Sequence, residues 1–273
     1  METLTTTIEI PAVTALQQHW PEYLMEAAEL GSFMISACVF TALFEHPASP
    51  VHALLPDATL RRVFIGIAMG LTAISIFYSP WGKRSGAHLN PAVTLTFFSL
   101  GKIGGWDALF YAAAQFAGGI AGVGAASLLI GEAIGHPSVN YAVTAPGPRG
   151  PWAALGAEFL ISFLMMTSVL VFSNSTKLSR LTPLIAGTLV AAYISIEAPL
   201  SGMSMNPART LGSAVPSGMF SALWVYFAAP VAGMLLAARL YLLRRGTHGV
   251  FCAKLHHHNS ERCIFRCNYG DLN

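Results

Sequence analysis

The sequence has very few charged residues. Of its 273 residues, 10% are Asp, Glu, Lys or Arg and 54% are hydrophobic, and the mean hydropathy is +0.56. Soluble proteins carry about 25% charged residues, because charge has to cover a surface that faces water. The composition therefore excludes an ordinary soluble protein and predicts a chain that lies in a lipid bilayer.

An excess of charge of one sign is lacking as well. The 15 Lys and Arg residues nearly cancel the 13 Asp and Glu residues, which leaves a formal net charge of +2. Proteins that bind nucleic acid present a basic surface to the phosphates, and this sequence offers no such excess. We therefore expect no nucleic-acid partner.

Cysteine is scarce, and the N-terminal region has no basic residue. Four cysteines are too few for the dense disulfide framework of a small secreted protein, and three of them lie in the last 22 residues. The first 22 residues contain three glutamates but no Lys or Arg, so they lack the positive start of a secretory signal. The first apolar run is therefore expected to remain as a membrane span.

Six apolar stretches approach or meet the length of about 20 residues that a helix needs to cross a bilayer. They cover residues 23–43, 63–78, 108–130, 152–172, 184–200 and 220–243. Two shorter apolar segments, 91–100 and 207–215, are about half as long, and each begins with the proline of an Asn-Pro pair. The sequence thus predicts an all-α membrane protein with six transmembrane helices and two re-entrant half-helices.

This pattern divides the chain into an N-terminal segment (1–22), a membrane domain (23–243) and a Cys/His-rich tail (244–273). Six spans place both termini on one side. That side collects Lys83, Arg84, Lys102, Lys177, Arg180, Arg239, Arg244, Arg245, Lys254, Arg262 and Arg266, whereas the other side has Arg61, Arg62 and Arg149. Since cytoplasmic loops are rich in Lys and Arg, we expect both termini in the cytoplasm of a plasma or inner membrane.

The predicted membrane domain contains an internal repeat. Residues 85–95, SGAHLNPAVTL, and residues 201–211, SGMSMNPARTL, are identical at seven of eleven positions. Each copy belongs to a unit of three spans and one half-helix, 23–130 and 152–243. Because three is odd, the second unit enters the membrane from the opposite side. The two half-helices are therefore expected to point at each other.

Each half-helix begins with an Asn-Pro-Ala turn, at Asn90-Pro91-Ala92 and at Asn206-Pro207-Ala208. Asparagine is a good helix cap and proline fits the first helical position. If the cap oxygen accepts from the backbone, the side-chain NH₂ is left free to donate into a lumen. Two helix starts together approach one positive charge, which costs a cation on the order of 4 kcal/mol at about 4 Å. Such a site passes neutral molecules and holds back cations and protons.

With these motifs the chain resembles the major intrinsic protein family, the aquaporins and aquaglyceroporins. Ala28-Glu29, Ala157-Glu158 and Pro230-x-x-Gly233 extend the resemblance over about residues 22–243. The run Gly-x-Ser-Met-Asn-Pro-Ala-Arg is similar to nodulin-26-like or bacterial members. The resemblance implies a passive channel for water or small neutral solutes such as glycerol, without a cofactor or enzymatic activity. It also implies a homotetramer with one pore per subunit, in which Glu29 and Glu158 support the re-entrant loops.

In that family a narrow ring near the outer mouth selects the solute. The arginine after the second Asn-Pro-Ala corresponds to Arg209, and spacing carries two other positions to Met203 and Ile194. The last position falls on Met69 or Gly70, with Met69 favoured by the register of the span. This ring is apolar apart from Arg209, and it does not identify one solute.

The tail raises a separate possibility. Cys252-x3-His256 and Cys263-x3-Cys267 have spacings that tetrahedral zinc accepts. A basic cytoplasmic tail with reduced thiols and no metal would look similar. We therefore expect no cofactor from the sequence, and we keep these four residues as candidate ligands.

Two other functions are compatible with parts of the pattern. Secondary transporters also have inverted repeats and broken helices, and a membrane-embedded enzyme would use buried Glu, His or Arg residues. The sequence has no HExxH motif for a metalloenzyme, and the paired Asn-Pro-Ala turns favour the channel.

Overall fold

The computed structural model describes residues 10–269, and this part of the chain is built from helices and irregular segments. Its α-helices are α1 (Ala12–Glu45), α2 (Pro50–Leu54), α3 (Ala58–Tyr78), α4 (Pro80–Ser85), α5 (Pro91–Ser99), α6 (Gly105–Ile130), α7 (Gly150–Ser173), α8 (Thr182–Ile196), α9 (Ala198–Ser201), α10 (Pro207–Ser217) and α11 (Leu223–Arg245). Short 3-10 turns lie at Gly131–Gly135, Asn140–Ala142, Ser179–Leu181 and Thr247–Gly249. Six helices, α1, α3, α6, α7, α8 and α11, are long and apolar enough to cross a membrane. The predicted fold class is thereby confirmed.

The first span is longer than the sequence indicated. α1 begins at Ala12 rather than at residue 23, so it includes half of the predicted N-terminal segment; residues 1–9 lie outside the described range. With 34 residues it is about 50 Å long, whereas a hydrocarbon core is about 30 Å thick. The predicted span begins after Glu22 because a charged residue interrupts the apolar run. In the structure Glu22 is fully buried and accepts a hydrogen bond from Arg84 Nε at 2.9 Å. The ion pair lets the helix continue through this position.

The fifth span is shorter than predicted. α8 ends at Ile196 instead of residue 200, and after Glu197 the chain forms the separate four-residue helix α9. Pro199 lies in the first turn of α9. Because proline has no N–H to donate and restricts the residue before it, α8 does not continue through this position.

Small residues allow the spans to approach closely within and between the two repeats. α1 packs mainly on α6, α7 on α11, and α3 on α8. A Cβ atom on Gly118 of α6 would lie 2.1 Å from the carbonyl oxygen of Ala27 in α1, and one on Gly70 would lie 2.7 Å from the carbonyl oxygen of Gly187 in α8. Both glycines are therefore required by close helix contact, as is usual where lipid provides no hydrophobic drive between helices.

The two half-helices, α5 and α10, connect the repeats. α5 belongs to the first repeat and packs on α11 of the second, while α10 belongs to the second repeat and packs on α6 of the first. The chain just after α5 lies beside the tail, because Lys102 O accepts from Arg266 N at 3.0 Å. The chain just after α10 lies beside the 131–149 connection, where Asn140 contacts Met219. The half-helices thus run to opposite faces, as the inverted repeat predicted.

Both ends of the described chain lie on one face. Arg262 in the tail donates from Nη1 to the carbonyl oxygen of Gln18 near the start of α1, at 3.0 Å. We call this the tail face, and the opposite side, which carries the 46–57 and 131–149 connections, the loop face. The placement agrees with an even number of spans.

Candidate functional site

A cavity of about 660 Å³ extends between the two repeats from one face towards the other. At the loop face its lining includes Glu45 and Arg62, and at the tail face it includes Phe77 and Leu255. The starts of α5 and α10 meet in the wall between these ends. The cavity is therefore a candidate conduction path whose centre lies at the two Asn-Pro-Ala turns.

The two asparagines of these turns are tied to each other's loops. The oxygen of Asn90 accepts from Ala92 N at 2.8 Å, so its amide is oriented with the nitrogen outward, where Nδ2 donates to Met205 O at 2.7 Å. In the same way Asn206 Oδ1 accepts from Ala208 N at 3.0 Å, and Nδ2 donates to Leu89 O at 2.7 Å. The expectation of an entirely free NH₂ was wrong, because one hydrogen of each amide crosses to the other repeat. The second hydrogen remains available to the cavity.

The backbone before each asparagine has an unusual conformation. Leu89 and Met205 have φ values of 52° and 55°, and Ala87 and Met203 have 56° and 52°. Non-glycine residues seldom adopt this left-handed region, and they do so where the surroundings hold them there. Leu89 and Met205 are the residues whose carbonyls accept the crossing amide bonds. The strained positions therefore serve the contact between the half-helices.

Buried carboxylates hold these strained loops. Glu158 accepts from Ser201 Oγ at 2.7 Å and from the backbone N–H groups of Ser204 and Met205, each at 2.6 Å. In the first repeat Glu29 accepts from Ser85 Oγ, at 2.9 and 3.1 Å to its two oxygens. The backbone N–H groups equivalent to those of Ser204 and Met205 belong to His88 and Leu89, and they donate to a different carboxylate.

That carboxylate is Glu26, which sequence reasoning missed. It accepts from His88 N at 2.8 Å, from Leu89 N at 2.7 Å and from Gln115 Nε2 at 2.7 Å. One signal was present in the sequence: Glu26 is a further carboxylate in an apolar span, one helical turn before Glu29. The comparison of the repeats pointed to Glu29 alone, because Glu29 is the position aligned with Glu158.

Four of the five residues predicted for the ring lie in the cavity wall. Arg209, Met203, Ile194 and Met69 all line the cavity, whereas Gly70 packs against α8 and is absent from the lining. Arg209 Nη1 is buried and has no hydrogen-bond partner within residues 10–269. The arrangement presents one unpaired guanidinium donor among three apolar side chains.

His88 lies in the cavity wall on the tail-face side. Its Nε2 donates to Ala253 O at 2.9 Å, which fixes the tautomer because a carbonyl can only accept, and its Nδ1 accepts from Thr94 Oγ1 at 3.0 Å. The ring stacks between Phe97 and Phe265, with centroids at 5.2 and 5.4 Å. Both ring nitrogens are thus occupied by protein groups, one of them in the tail.

The tail brings four possible metal ligands together. One ligand atom from each of Cys252, His257, Cys263 and Cys267 lies within 4.8 Å of the others. The expected histidine was wrong: His257 belongs to this group, while His256 lies edge-on to Tyr78 at 5.3 Å. The spacing Cys263-x3-Cys267 is kept in this group, whereas the other pair is Cys252-x4-His257.

The sulfur atoms of this group interact strongly. Hydrogen bonds from Cys252 and Cys263 hold the pKa of the Cys267 thiol far below its usual range. The same contacts, together with burial, raise the pKa of Cys252 far above its usual range. Burial lowers the pKa of His257, but its hydrogen bonds with Cys263 and Cys267 outweigh that and raise it to about 9. The cluster therefore shares its protons.

Comparison with known proteins agrees with this geometry. The family model described as Major intrinsic protein matches residues 17–241. The chain belongs to the major intrinsic protein family. It is 37% identical over 216 residues to "Aquaporin NIP2-2" of Zea mays, a match that covers 78% of this chain and 71% of that protein. It is also 37% identical over 216 residues to "Aquaporin NIP6-1" of Arabidopsis thaliana, covering 79% and 68%.

A solved structure supports the fold of this family member. The aquaglyceroporin from Plasmodium falciparum superposes with a TM-score of 0.65 at 20% identity, covering 82% of this chain and 96% of that one. At this identity the likeness concerns the fold alone. The predicted family and the aquaporin-like architecture are confirmed, and membership indicates a channel rather than an enzyme.

Proposed function

We propose that this major intrinsic protein is a passive channel for water and small neutral solutes, and that the cavity between the half-helices is its path. One observation carries the proposal: the starts of α5 and α10 meet in the cavity wall, where Asn90 and Asn206 each keep one amide hydrogen for a passing molecule. Membership of the family supports the same function.

The meeting helix starts explain how ions are excluded. Each start carries roughly half a positive charge, and the two converge on the same short stretch of the cavity. A cation there loses water and meets a positive field, whereas a neutral molecule does not. Half-helix dipoles are the recognised barrier to cations and protons in aquaporin-type channels.

The asparagine amides explain how protons are excluded. A water molecule at this point accepts from the two remaining amide hydrogens, so its own hydrogens point away from the centre on both sides. The hydrogen-bonded chain that a proton needs is then interrupted at Asn90 and Asn206. Water continues to pass because it exchanges one set of hydrogen bonds for another.

The ring around Arg209 is proposed to select among neutral solutes. Arg209 Nη1 offers a donor, while Met69, Met203 and Ile194 offer apolar surface. Small polyols have both a polar and an apolar side, so they match this lining as well as water does. Methionine side chains are flexible and adapt to more than one shape. We propose water and glycerol-like solutes as the permeant class.

The remaining proposals concern placement and assembly. The excess of Lys and Arg supports a cytoplasmic tail face in a cell membrane. Family membership supports a homotetramer with one pore in each subunit. We also expect no catalytic activity, since the groups at the cavity centre are engaged in holding the half-helices.

The test is the osmotic shrinkage of proteoliposomes, followed by light scattering. A channel gives fast water flux with a low activation energy, whereas a secondary transporter saturates with solute concentration. Val93 lines the cavity, so Val93→Trp is expected to block the flux. Val171 lies on the exposed side of α7, and Val171→Trp is expected to leave it unchanged. Equal flux through both variants would place the conduction path elsewhere.

A further inference from the structure

The tail is buried although it has little regular structure. Within residues 250–269 the structure shows no α-helix and no strand. Even so, Cys252, Ala253, Lys254 and Leu255 are at most 4% exposed. Ordering an irregular segment costs conformational entropy, and small segments of this kind are commonly held by a disulfide or a structural metal. The cysteine and histidine cluster offers either kind of cross-link.

The distances in the cluster fit a metal ion. Cys252 Sγ lies 3.5 Å from Cys263 Sγ, Cys267 Sγ lies 2.9 Å from His257 Nε2, and all four ligand atoms lie within 4.8 Å of one another. Tetrahedral zinc with bonds of about 2.3 Å to sulfur and about 2.0 Å to nitrogen requires ligand separations of about 3.5–3.8 Å. The four atoms therefore reach a tetrahedral arrangement with shifts of about 1 Å or less.

We propose that Cys252, His257, Cys263 and Cys267 bind one zinc ion, which cross-links the tail. Three thiolates and one imidazole form a donor set typical of structural zinc sites, and soft sulfur ligands exclude calcium and magnesium. The ligands come from two ends of one loop, since Cys252 and His257 precede it and Cys263 and Cys267 follow it. The ion closes that loop.

A charged neighbour supports the site. Three thiolates and one zinc ion leave a net charge of −1, and Lys254, which is 2% exposed, brings a positive charge next to the cysteines. Lys254 Nζ also donates to Glu261 O at 3.0 Å and Arg262 O at 2.8 Å, which holds the intervening loop closed. Such outer contacts orient metal ligands and tune their affinity.

The histidine ligand is held in position from the membrane domain. The His257 ring stacks on Tyr269 with centroids 4.2 Å apart and an interplanar angle of 5°. Tyr269 in turn donates its hydroxyl to Ser173 O at the end of α7, at 2.6 Å. His258 meets the same tyrosine only edge-on, with centroids 6.3 Å apart, and His256 lies against Tyr78 instead. The close parallel stacking therefore singles out the middle histidine of the three.

A disulfide is the competing cross-link. Cys252 Sγ and Cys263 Sγ lie 3.5 Å apart, and all three tail cysteines are free thiols. A disulfide between any two of them leaves the third cysteine and His257 with no role. The zinc site uses all four residues, and the geometry therefore favours it.

The test is metal analysis of the purified full-length chain in detergent. This measurement does not depend on conduction, so its result is independent of the proposed channel function. We expect about one zinc per chain. His257→Asn and the double variant Cys263→Ser, Cys267→Ser are expected to lose at least four-fifths of it. Two matched controls, His258→Asn at the exposed neighbouring histidine and Cys38→Ser at the buried thiol in α1, are expected to retain it.

A second measurement on the unaltered chain covers variants that fail to fold. After chelation under reducing conditions, added cobalt(II) is expected to give the visible absorption of a tetrahedral thiolate complex at one equivalent. Absence of both zinc and this absorption would overturn the proposal. Equal loss of zinc from His257→Asn and His258→Asn, or a tail disulfide with no bound metal, would overturn it as well.

Discussion

Asn90 and Asn206 form reciprocal hydrogen bonds. Asn90 Nδ2 donates to the carbonyl oxygen of Met205, which precedes Asn206, and Asn206 Nδ2 donates to that of Leu89, which precedes Asn90, both at 2.7 Å. Each asparagine also caps its own half-helix through its side-chain oxygen. The two helix starts therefore form one connected unit across the repeats. A change in either amide affects the cap, the crossing bond and the cavity wall together.

Replacing Asn206 by Asp tests this unit with almost no change in shape. The second carboxylate oxygen would face Leu89 O, so a hydrogen bond becomes a repulsion between acceptors. We expect a loss of stability of about 2 kcal/mol and an increased cation leak, because a negative charge offsets the helix dipoles. Thermal unfolding in detergent and sodium flux into vesicles measure the two effects. Asn259→Asp in the tail is the control, and a leak of similar size in both variants would contradict the assignment.

Arg209→Ala is expected to widen the ring and remove its donor. In the part of the chain that the structure describes, Arg209 Nη1 is buried in the cavity wall without a hydrogen-bond partner, so its loss leaves an apolar constriction that no longer repels cations. Urea and larger polyols should enter several-fold faster, and ion leak should rise. Vesicle shrinkage against a series of solutes gives the size limit. Arg149→Ala, on the loop face, is the control. If Arg209→Ala leaves the size limit unchanged and leaks ions no faster than Arg149→Ala, the result would count against this ring.

Glu26 and Glu29 are expected to differ in their contribution to stability. Glu26→Gln leaves only one accepting oxygen for the two loop N–H groups of His88 and Leu89. Glu29→Gln still accepts from the single hydroxyl of Ser85. The first change should therefore cost about 1–3 kcal/mol and the second clearly less. Unfolding temperatures of the two variants, measured side by side in detergent, provide the comparison; a larger loss for Glu29→Gln would contradict the assigned roles.

Leu255 connects the tail to the proposed path. Its side chain lines the tail-face end of the cavity, and its backbone N–H donates to Gly86 O at 3.1 Å. Leu255→Ala removes apolar bulk without altering that bond, so water permeability per protein should rise. Leu243→Ala, at an exposed position of α11, should have no effect. If both variants conduct water at the original rate, Leu255 does not narrow the path.

Local patterns in the sequence were sufficient for much of the fold. Apolar length predicted six spans, and the duplicated SGxxxNPAxTL frame predicted two half-helices of opposite direction. These features depend on residues that are close together in the chain, so no tertiary information was needed to recognise them. The membership of the family follows from the same segments.

Other features depended on contacts between distant residues. Met69 and Gly70 are adjacent, and only the packing of α3 on α8 places Met69 in the cavity and Gly70 in the helix contact. Likewise Glu26 receives the loop N–H groups because the chain near His88, about 60 residues later, folds against α1.

In the tail, too, the sequence predicts some features and the tertiary structure decides others. Its sequence supplied three cysteines and three consecutive histidines, which is enough to suggest metal ligands. Selection of His257 required the stacking of its ring on Tyr269, which the end of α7 holds in place. Residue type and spacing are written in the chain itself, whereas the direction in which a side chain points depends on every helix packed around it.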